Sequence, residues 1–196
     1  MSDRELGLTL LSIAREAIGG RLGVTTAAAP GCSTPNHSAL DRPAATFVTL
    51  MQDDALRGCI GTLEPSRPLG IDVHENALAA AFRDPRFEPL AVHEYESMSV
   101  EVSLLSASEP VGFVDEAHLI AQLRPGVDGV ILECGRRRAT FLPQVWEALP
   151  DPRDFLAALE RKAGLPADFR YEGVNVRRYT VIKWKESEFS ATESLR

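Results

Sequence analysis

The feature that most constrains the fold is a pair of β-patterned runs joined by a short polar turn. Residues 44–51 are β-branched and aromatic, and residues 55–63 form a second run that contains glycines. Gln52, Asp53 and Asp54 lie between them and predict a turn, so the two runs are expected to pair as a β-hairpin. A sheet is therefore part of the fold, and the elements around it decide the fold class.

Helical spacing and strand alternation recur along the rest of the chain. Residues 3–18 predict an amphipathic helix that ends at Gly19-Gly20, and residues 68–82 predict a second helix with Pro68 in its first turn. The other predicted elements are a strand at 98–106, a short helix at 115–123, a hairpin of 127–133 with 138–142, helices at 144–149 and 152–163, and a strand at 176–184. Hairpins mixed with crossover helices predict an α+β fold, a mixed sheet with flanking helices.

The length of 196 residues predicts one domain, or one domain with a lobed shape, and a core that needs no metal or disulfide. Residues 1–20 carry the N-terminal helix, residues 21–43 form a loop rich in Ala, Pro and Thr, and residues 187–196 form a polar tail. Cys32 and His37 in the loop are interpreted as incidental.

Charge and cysteine content narrow the function classes. The net charge of −7 disfavours a nucleic-acid groove, and the run Arg136-Arg137-Arg138 is interpreted as a solvated turn. Three cysteines without CxxC spacing argue against a disulfide framework and a four-cysteine zinc site. They fit a reducing cytosol, and neither a signal peptide nor a membrane-spanning run is present, so a cytoplasmic location is expected.

The segment with the most chemical content runs from Arg57 to Thr62, with the sequence RGCIGT. Glycine inside a strand pattern marks a bulge, a bend or a close backbone approach. Arg57 offers a planar fork of donors to a carboxylate or phosphate, and the amides at Gly58 and Gly61 are candidates to face a ligand. If Arg57 and Cys59 face the same opening, the segment is an anion site that contains a thiolate nucleophile.

Simpler interpretations stand beside this one. Local chemistry alone favours Cys59 as a packed, structural residue. His74 is a candidate base because it follows the glycine segment, although a packing role is more common at such a position. Neither His74-Glu75 nor His93-Glu94 completes an HExxH motif, so no metal site is expected.

The residues resemble the AMMECR domain family, whose prokaryotic members are called AmmeMemoRadiSam system protein A. The resemblance covers roughly residues 5–186, and several independent motifs occur in the right order. The segments that carry it are Phe47 to Leu50, Leu56 to Leu63, Ala79 to Phe82, Asp84 to Phe87, Glu101 to Leu105, Gly126 with Asp128-Gly129, Thr140 to Trp146, Phe155-Leu156, Lys162 to Leu165, and Tyr179.

The resemblance implies a single α+β domain of two unequal lobes, with the RGCIG segment at a cleft between them. It implies two partners, a Memo-like protein related to extradiol dioxygenases and a radical S-adenosylmethionine protein. It supplies no established reaction, and no cofactor is expected in this chain.

Three functional hypotheses follow. In the first, the cleft binds a small anionic ligand through Arg57, Gly58, Ile60, Gly61, Thr62 and Arg86, with Cys59 as nucleophile or thiol ligand and His74 as base. In the second, the same segment is a docking surface of a non-catalytic interaction module. In the third, the protein associates with RNA through surface cations such as Arg136 to Arg138.

Overall fold

The computed structural model describes residues 3–24, 38–166, 169–171 and 173–193, so Cys32 and His37 lie outside the described residues. The chain divides into two compact units of unequal size. The first unit comprises residues 1–105 with 182–196, and the second comprises residues 106–181. Helices and antiparallel sheets occur in both units, which confirms the predicted α+β class.

The first unit is built on a sheet in which the predicted hairpin is present. Asp53 and Asp54 both adopt positive φ angles (48° and 60°), as a two-residue turn between twisted strands requires. Its strands are β1 (Pro43–Gln52), β2 (Ala55–Gly61), β3 (Arg67–Pro68), β4 (Met98–Leu105) and β9 (Val181–Lys185). They have the order β2-β1-β4-β9, with the short strand β3 paired to β1.

Two helices cover one face of this sheet. α1 spans Asp3–Leu22 and α2 spans Leu69–Phe82. Alternate residues of β1 and β4 point towards these helices and are fully buried with them, whereas the residues between point the other way. The buried set includes Leu10, Ile18, Val48, Leu50, Val73, Ala77, Val100 and Val102. The opposite side of the sheet, which points away from α1 and α2, is called the outer face below.

The second unit has its own sheet and its own core. The strand order is β5-β8-β6-β7, and Trp146 stacks on Phe155 with ring centroids 3.7 Å apart. The indole Nε1 of Trp146 donates to the carbonyl of Asp128, so this polar atom is satisfied inside the core. The elements are β5 (Glu109–Pro110), α3 (Glu116–Gln122), β6 (Gly129–Cys134), β7 (Arg137–Phe141), a 3-10 helix (Pro143–Glu147), α4 (Pro152–Lys162) and β8 (Asn175–Tyr179).

Two predicted elements differ clearly from the structure. α1 continues through Gly19 and Gly20, because the residue that ends it is Gly23, whose φ of +71° allows the helix to terminate. The predicted strand at 176–184 is broken at Thr180, and its halves β8 and β9 belong to different sheets.

The segment predicted as a polar tail begins with a helix, α5 (Glu186–Glu193). Glu186 at its start accepts hydrogen bonds from the side chain of Arg15 and from the backbone N–H of Val100. These bonds tie the helix to α1 and β4, an attachment that the local polarity of the segment does not reveal. Among the helices of the described residues, none combines the length and apolar character needed to cross a membrane.

Gly58 marks a close approach between β2 and α2. A Cβ atom at this position would lie 2.2 Å from the carbonyl oxygen of Ala80, which belongs to the helix backbone. A backbone atom cannot move aside as the end of a side chain can, so only glycine allows the helix to pack this closely.

We expect Gly58→Ala to lower the free energy of unfolding by about 1–3 kcal/mol, the usual cost of overpacking a core contact. Gly20→Ala is the matched control, because a Cβ at Gly20 meets nothing within 4 Å and the position is helical. The control is expected to be neutral or stabilising by about 0.4–1 kcal/mol. Urea denaturation measures both, and equal stability of the two variants would contradict the close-approach argument.

Candidate functional site

The RGCIG segment contains a β-bulge at Arg57. In the pairing of β1 with β2, Leu50 lies opposite Gly58 whereas Met51 lies opposite Leu56, so Arg57 is the extra residue. In a regular strand Arg57 and Cys59 would share a face, and the bulge removes that parity. Their side chains accordingly have different partners.

Arg57 forms an ion pair with Glu94, a carboxylate of the protein itself. Its Nε and Nη2 donate to the two carboxylate oxygens of Glu94 at 2.7 and 3.0 Å. Both side chains are largely buried, with exposures of 15% and 19%. The hydrogen bonds from Arg57, helped by the backbone N–H of Ala91, lower the pKa of Glu94 to about 2. Arg57 was predicted to bind an anionic ligand, but its guanidinium already binds the carboxylate of Glu94.

The backbone of Cys59 is held at the edge of the sheet by two side chains. Its N–H donates to Oδ2 of Asp84 at 2.9 Å, and its carbonyl accepts from Nη2 of Arg86 at 3.2 Å. Arg86 also donates from Nη2 and Nε to the Asp84 carboxylate at 2.7 and 2.9 Å. We call the Asp84–Arg86 pair the edge clamp, because it satisfies the same backbone groups that a further strand would pair.

The edge clamp is electrostatically strong. Asp84 is 4% exposed although it carries a charge, and the hydrogen bonds from Arg86, followed by those from the backbone N–H groups of Cys59 and Arg86, hold its pKa well below the ordinary value. The guanidinium of Arg86 also lies 5.4 Å from the ring centre of Phe87, and that of Arg57 lies 5.9 Å from the same ring. Phe87 therefore adjoins both ion pairs beside β2.

The Cys59 side chain points to the outer face. Cys59 pairs with Thr49 of β1, and Thr49 pairs in turn with Glu101 of β4, so these three side chains share that face. The hydroxyl of Thr49 donates to Sγ of Cys59 at 3.2 Å. Glu101 lies 3.2 Å from Nζ of Lys183 and 3.7 Å from Nζ of Lys185, both on β9. We call Cys59, Thr49, Glu101, Lys183 and Lys185 the outer-face row.

The sequence interpretation missed four members of this row. Strand alternation alone places Thr49 on the face opposite Val48 and Leu50, and Glu101 opposite Val100 and Val102. Strand alternation shows which face a residue occupies, but it does not show which strands are neighbours. In addition, most of β9 fell within the longer strand predicted at 176–184.

The other predicted ligand residues near Cys59 have structural contacts. Ile60 packs against the buried core of the first unit. A Cβ at Gly61 would lie 2.3 Å from the ring of Phe47, so this glycine is required by packing. The hydroxyl of Thr62 donates to the carboxylate of Asp72.

Asp72 is the centre of a buried polar cluster at the start of α2. It is fully buried and accepts hydrogen bonds from the N–H and hydroxyl of Thr46, the hydroxyl of Thr62, Nε of Arg67 and Nδ2 of Asn76. Its distances to these donors range from 2.7 to 3.0 Å. Every oxygen of a buried carboxylate needs such partners, so the cluster serves to fasten α2 to β1.

The structure does not bring His74 to Cys59. The His74 side chain is 48% exposed on α2, with Nδ1 3.5 Å from Oε1 of Glu75, whereas Sγ of Cys59 lies on the face of the sheet opposite this helix. The suggested role of His74 as base has no geometric support. Cys134 is half-buried next to the β6–β7 turn, and the described residues contain no cluster of three or more potential metal ligands.

Comparisons with known proteins agree on one family. The AMMECR1 family model matches residues 11–184. A protein of Methanothermobacter thermautotrophicus is 39% identical over 175 residues, which cover 87% of this chain and 88% of the relative. A protein of Thermotoga maritima is 39% identical over 146 residues, 74% of this chain and 79% of the relative.

A solved structure is also similar. The crystal structure of the uncharacterized protein PH0010 from Pyrococcus horikoshii has a TM-score of 0.78 and 34% sequence identity to this chain. The match covers 93% of this chain and 92% of that one. The likeness therefore extends over the fold described above and is supported by sequence as well as by shape.

The Arg57–Glu94 pair predicts a pH-dependent stability difference. The folded-state pKa of Glu94 is lowered from 4.5 to about 2, so the pair stabilises the fold fully above about pH 5 and loses its contribution as the pH falls towards 2. Glu94→Gln is expected to be about 1–2 kcal/mol less stable than the wild type at pH 6.5, with a smaller gap at pH 3.

Urea unfolding of both proteins at the two pH values measures this gap. Glu75→Gln is the control, because Glu75 makes only 3.5 Å contacts with His74 and Arg83 at the surface. A gap between wild type and Glu94→Gln that stays constant from pH 6.5 to pH 3 would show that the carboxylate charge is not what stabilises the pair.

The Asp72 cluster predicts a second stability effect. Asp72→Asn replaces an acceptor oxygen by an NH₂ group that faces donors, so at least one buried donor loses its partner, at a cost of about 1–3 kcal/mol. Asp54→Asn is the control, since it is the same substitution at an exposed turn residue with φ of 60°, which asparagine also adopts. Thermal or urea unfolding should show a loss for Asp72→Asn alone.

Proposed function

This chain belongs to the AMMECR1 family, and from that premise we propose that it is a binding protein for a small ligand that contacts the thiol of Cys59. The names of its relatives describe no reaction, so the support comes from the site itself. The ligand would lie against the outer face of the first sheet, where the side chains of Cys59 and Thr49 are both half-buried.

The observation that carries the proposal is the setting of the thiol. Free cysteines that only fill a core are usually fully buried among apolar side chains. Cys59 is half-buried and lies beside the Thr49 hydroxyl, in a row that continues with charged residues. A sulfur in a polar, partly accessible setting is available to a ligand, as a contact atom or as a nucleophile.

The surrounding ion pairs support this role by fixing the geometry. The edge clamp holds the N–H and the carbonyl of Cys59 and so restrains its backbone. Binding sites placed on rigid strands hold their side chains more accurately than sites on loops. In this proposal Arg86 positions the backbone of Cys59 through the edge clamp. Arg57 acts indirectly, because its ion pair with Glu94 holds the bulged part of β2.

The two partners that the family resemblance implies belong to the same proposal. A Memo-like protein and a radical S-adenosylmethionine protein would supply redox chemistry, and this chain would supply the ligand site. Docking of a partner strand on the edge of β2 is not favoured, because the edge clamp already occupies the backbone groups of Cys59.

We expect iodoacetamide at neutral pH to alkylate Cys59 about tenfold faster than Cys134, because, of the two cysteines in the described residues, Cys59 is the one whose sulfur accepts a hydrogen bond, from Thr49. In this reaction the sulfur forms a bond to carbon, iodide leaves and the thiol proton passes to solvent. Peptide mass spectrometry follows each cysteine separately. Cys134 serves as internal control because it is also half-buried. Equal slow labelling of both, or labelling of Cys59 only after unfolding, would exclude the proposed role.

Thr49 provides a second, sharper comparison. Thr49→Val removes the hydroxyl with little change of shape and is expected to slow the alkylation of Cys59 about twofold to tenfold, because the lost hydrogen bond is donated to the attacking sulfur. Thr49→Ser keeps the hydroxyl and is expected to retain the wild-type rate. Identical rates in all three proteins would show that the hydroxyl does not act on the thiol.

A further inference from the structure

Two lysines of β9 share one carboxylate at the end of the outer-face row. Nζ of Lys183 lies 3.2 Å from Oε2 of Glu101, and Nζ of Lys185 lies 3.7 Å from Oε1. Each ammonium therefore uses a different oxygen of the same side chain. Two positive charges against one negative charge leave an excess of one positive charge at this place.

The excess is contrary to the charge of the unit that carries it. Residues 1–105 and 182–196 contain 11 Lys and Arg residues but 17 Asp and Glu residues. Since acidic residues outnumber basic ones in this unit, its composition alone does not account for a local excess of positive charge. Glu101 is only 14% exposed, whereas Lys183 and Lys185 are 33% and 42% exposed, so the carboxylate lies beneath and both ammoniums stay accessible.

The two arginines beside Cys59 are poor candidates for binding a further anion. Arg57 uses Nε and Nη2 on Glu94, and Arg86 uses Nε and Nη2 on Asp84. Each of these pairs matches one guanidinium with one carboxylate, so neither leaves excess charge. Within the outer-face row, which lies entirely in the described residues, the unbalanced positive charge is that of Lys183 and Lys185 at the end opposite Cys59.

We propose that Lys183 and Lys185 bind the anionic end, a carboxylate or phosphate group, of the ligand that contacts Cys59. The inference rests on the proposed function, since it assigns a chemical class to the ligand of that same site. It also makes Glu101 a positioning residue, which holds both ammoniums on the face that carries the thiol.

The sheet sets the length of such a ligand. Cys59 and Glu101 are separated by two strand spacings, which is about 10 Å. Lys183 and Lys185 lie on β9, one strand beyond Glu101, and their ammoniums reach back to its carboxylate. The ligand is therefore a small acid about 10–14 Å long that crosses β1 at Thr49, with its anionic group at the lysines and its other end at the sulfur. The Thr49 hydroxyl lies along this path and can donate or accept a hydrogen bond.

The first arm of the test compares two alkylating reagents that differ in charge, iodoacetate and iodoacetamide, at low salt. In Lys183→Gln/Lys185→Gln, the ratio of the iodoacetate rate to the iodoacetamide rate at Cys59 is expected to fall about threefold to tenfold relative to wild type. Arg21→Gln/Arg153→Gln is the control, since it removes the same total charge at exposed positions away from the edge clamp and is expected to leave the ratio unchanged.

The second arm does not depend on the reactivity of Cys59. Inorganic phosphate is titrated into ¹⁵N-labelled protein, and the amide signals of Glu101, Lys183 and Lys185 are followed by NMR. Saturable shifts are expected in wild type and in Cys59→Ser, and their loss is expected in the double glutamine variant. Circular dichroism of each variant confirms that the fold is retained.

The outcomes separate the two claims. Slow iodoacetamide labelling of Cys59 together with saturable phosphate shifts would overturn the thiol role and support the anion site. Amides that do not shift up to tens of millimolar phosphate, or that shift equally in the glutamine variant, would overturn the anion site. An unchanged reagent ratio would overturn the claim that the lysines and the thiol serve one ligand.

Discussion

The direct contact of α2 with the β1–β2 hairpin is the constraint on which the rest of the first unit depends. Three features fasten the helix to the hairpin along its length. At its start, Asp72 binds Thr46 of β1 from a fully buried position. In its last turns, the backbone at Ala80 approaches Gly58 so closely that no Cβ fits. Just beyond its end, Asp84 accepts the N–H of Cys59. Movement of any one of these points would require the other two to move.

This attachment explains why two acidic residues, Asp72 and Asp84, are buried in the first unit although it has ample apolar core. A buried carboxylate is costly unless donors surround it, and both Asp72 and Asp84 are surrounded by backbone, hydroxyl or guanidinium donors. Replacing such buried polar groups by apolar residues is often neutral for stability. The polar contacts of Asp72 and Asp84 are therefore better understood as fixing where α2 lies on the hairpin. What they set is the register of α2 on the hairpin, and with it the orientation of Cys59.

The sequence predicted the parts of this site that depend on local patterns. The hairpin and its acidic turn follow from residue types within a few positions. For the glycines, the sequence left a bulge, a bend and a close backbone approach open, and the structure contains two of these, the bulge at Arg57 and the close approach at Gly58. The hypothesis that Arg57 and Cys59 face one opening rested on regular strand alternation, which the extra residue in β2 interrupts, and the two side chains have different partners, Glu94 and Thr49. Glu94 was not recognised as the partner of Arg57, since it lies 37 residues away.

The outer-face row shows why the remaining part of the site was beyond sequence reasoning. Its members lie on four strands, and each touches the next only because the order β2-β1-β4-β9 brings distant segments together. Within β9, Lys183 and Lys185 flank the buried Trp184, whose ring fills the space beside Gly7 of α1. Burial of Trp184 on the helix side forces both lysines to the outer face. The thiol is thus positioned by α2 and the lysines by α1 through β9, so the two ends of the row are held by separate contacts, and the charge at one end can change without altering the geometry of the other.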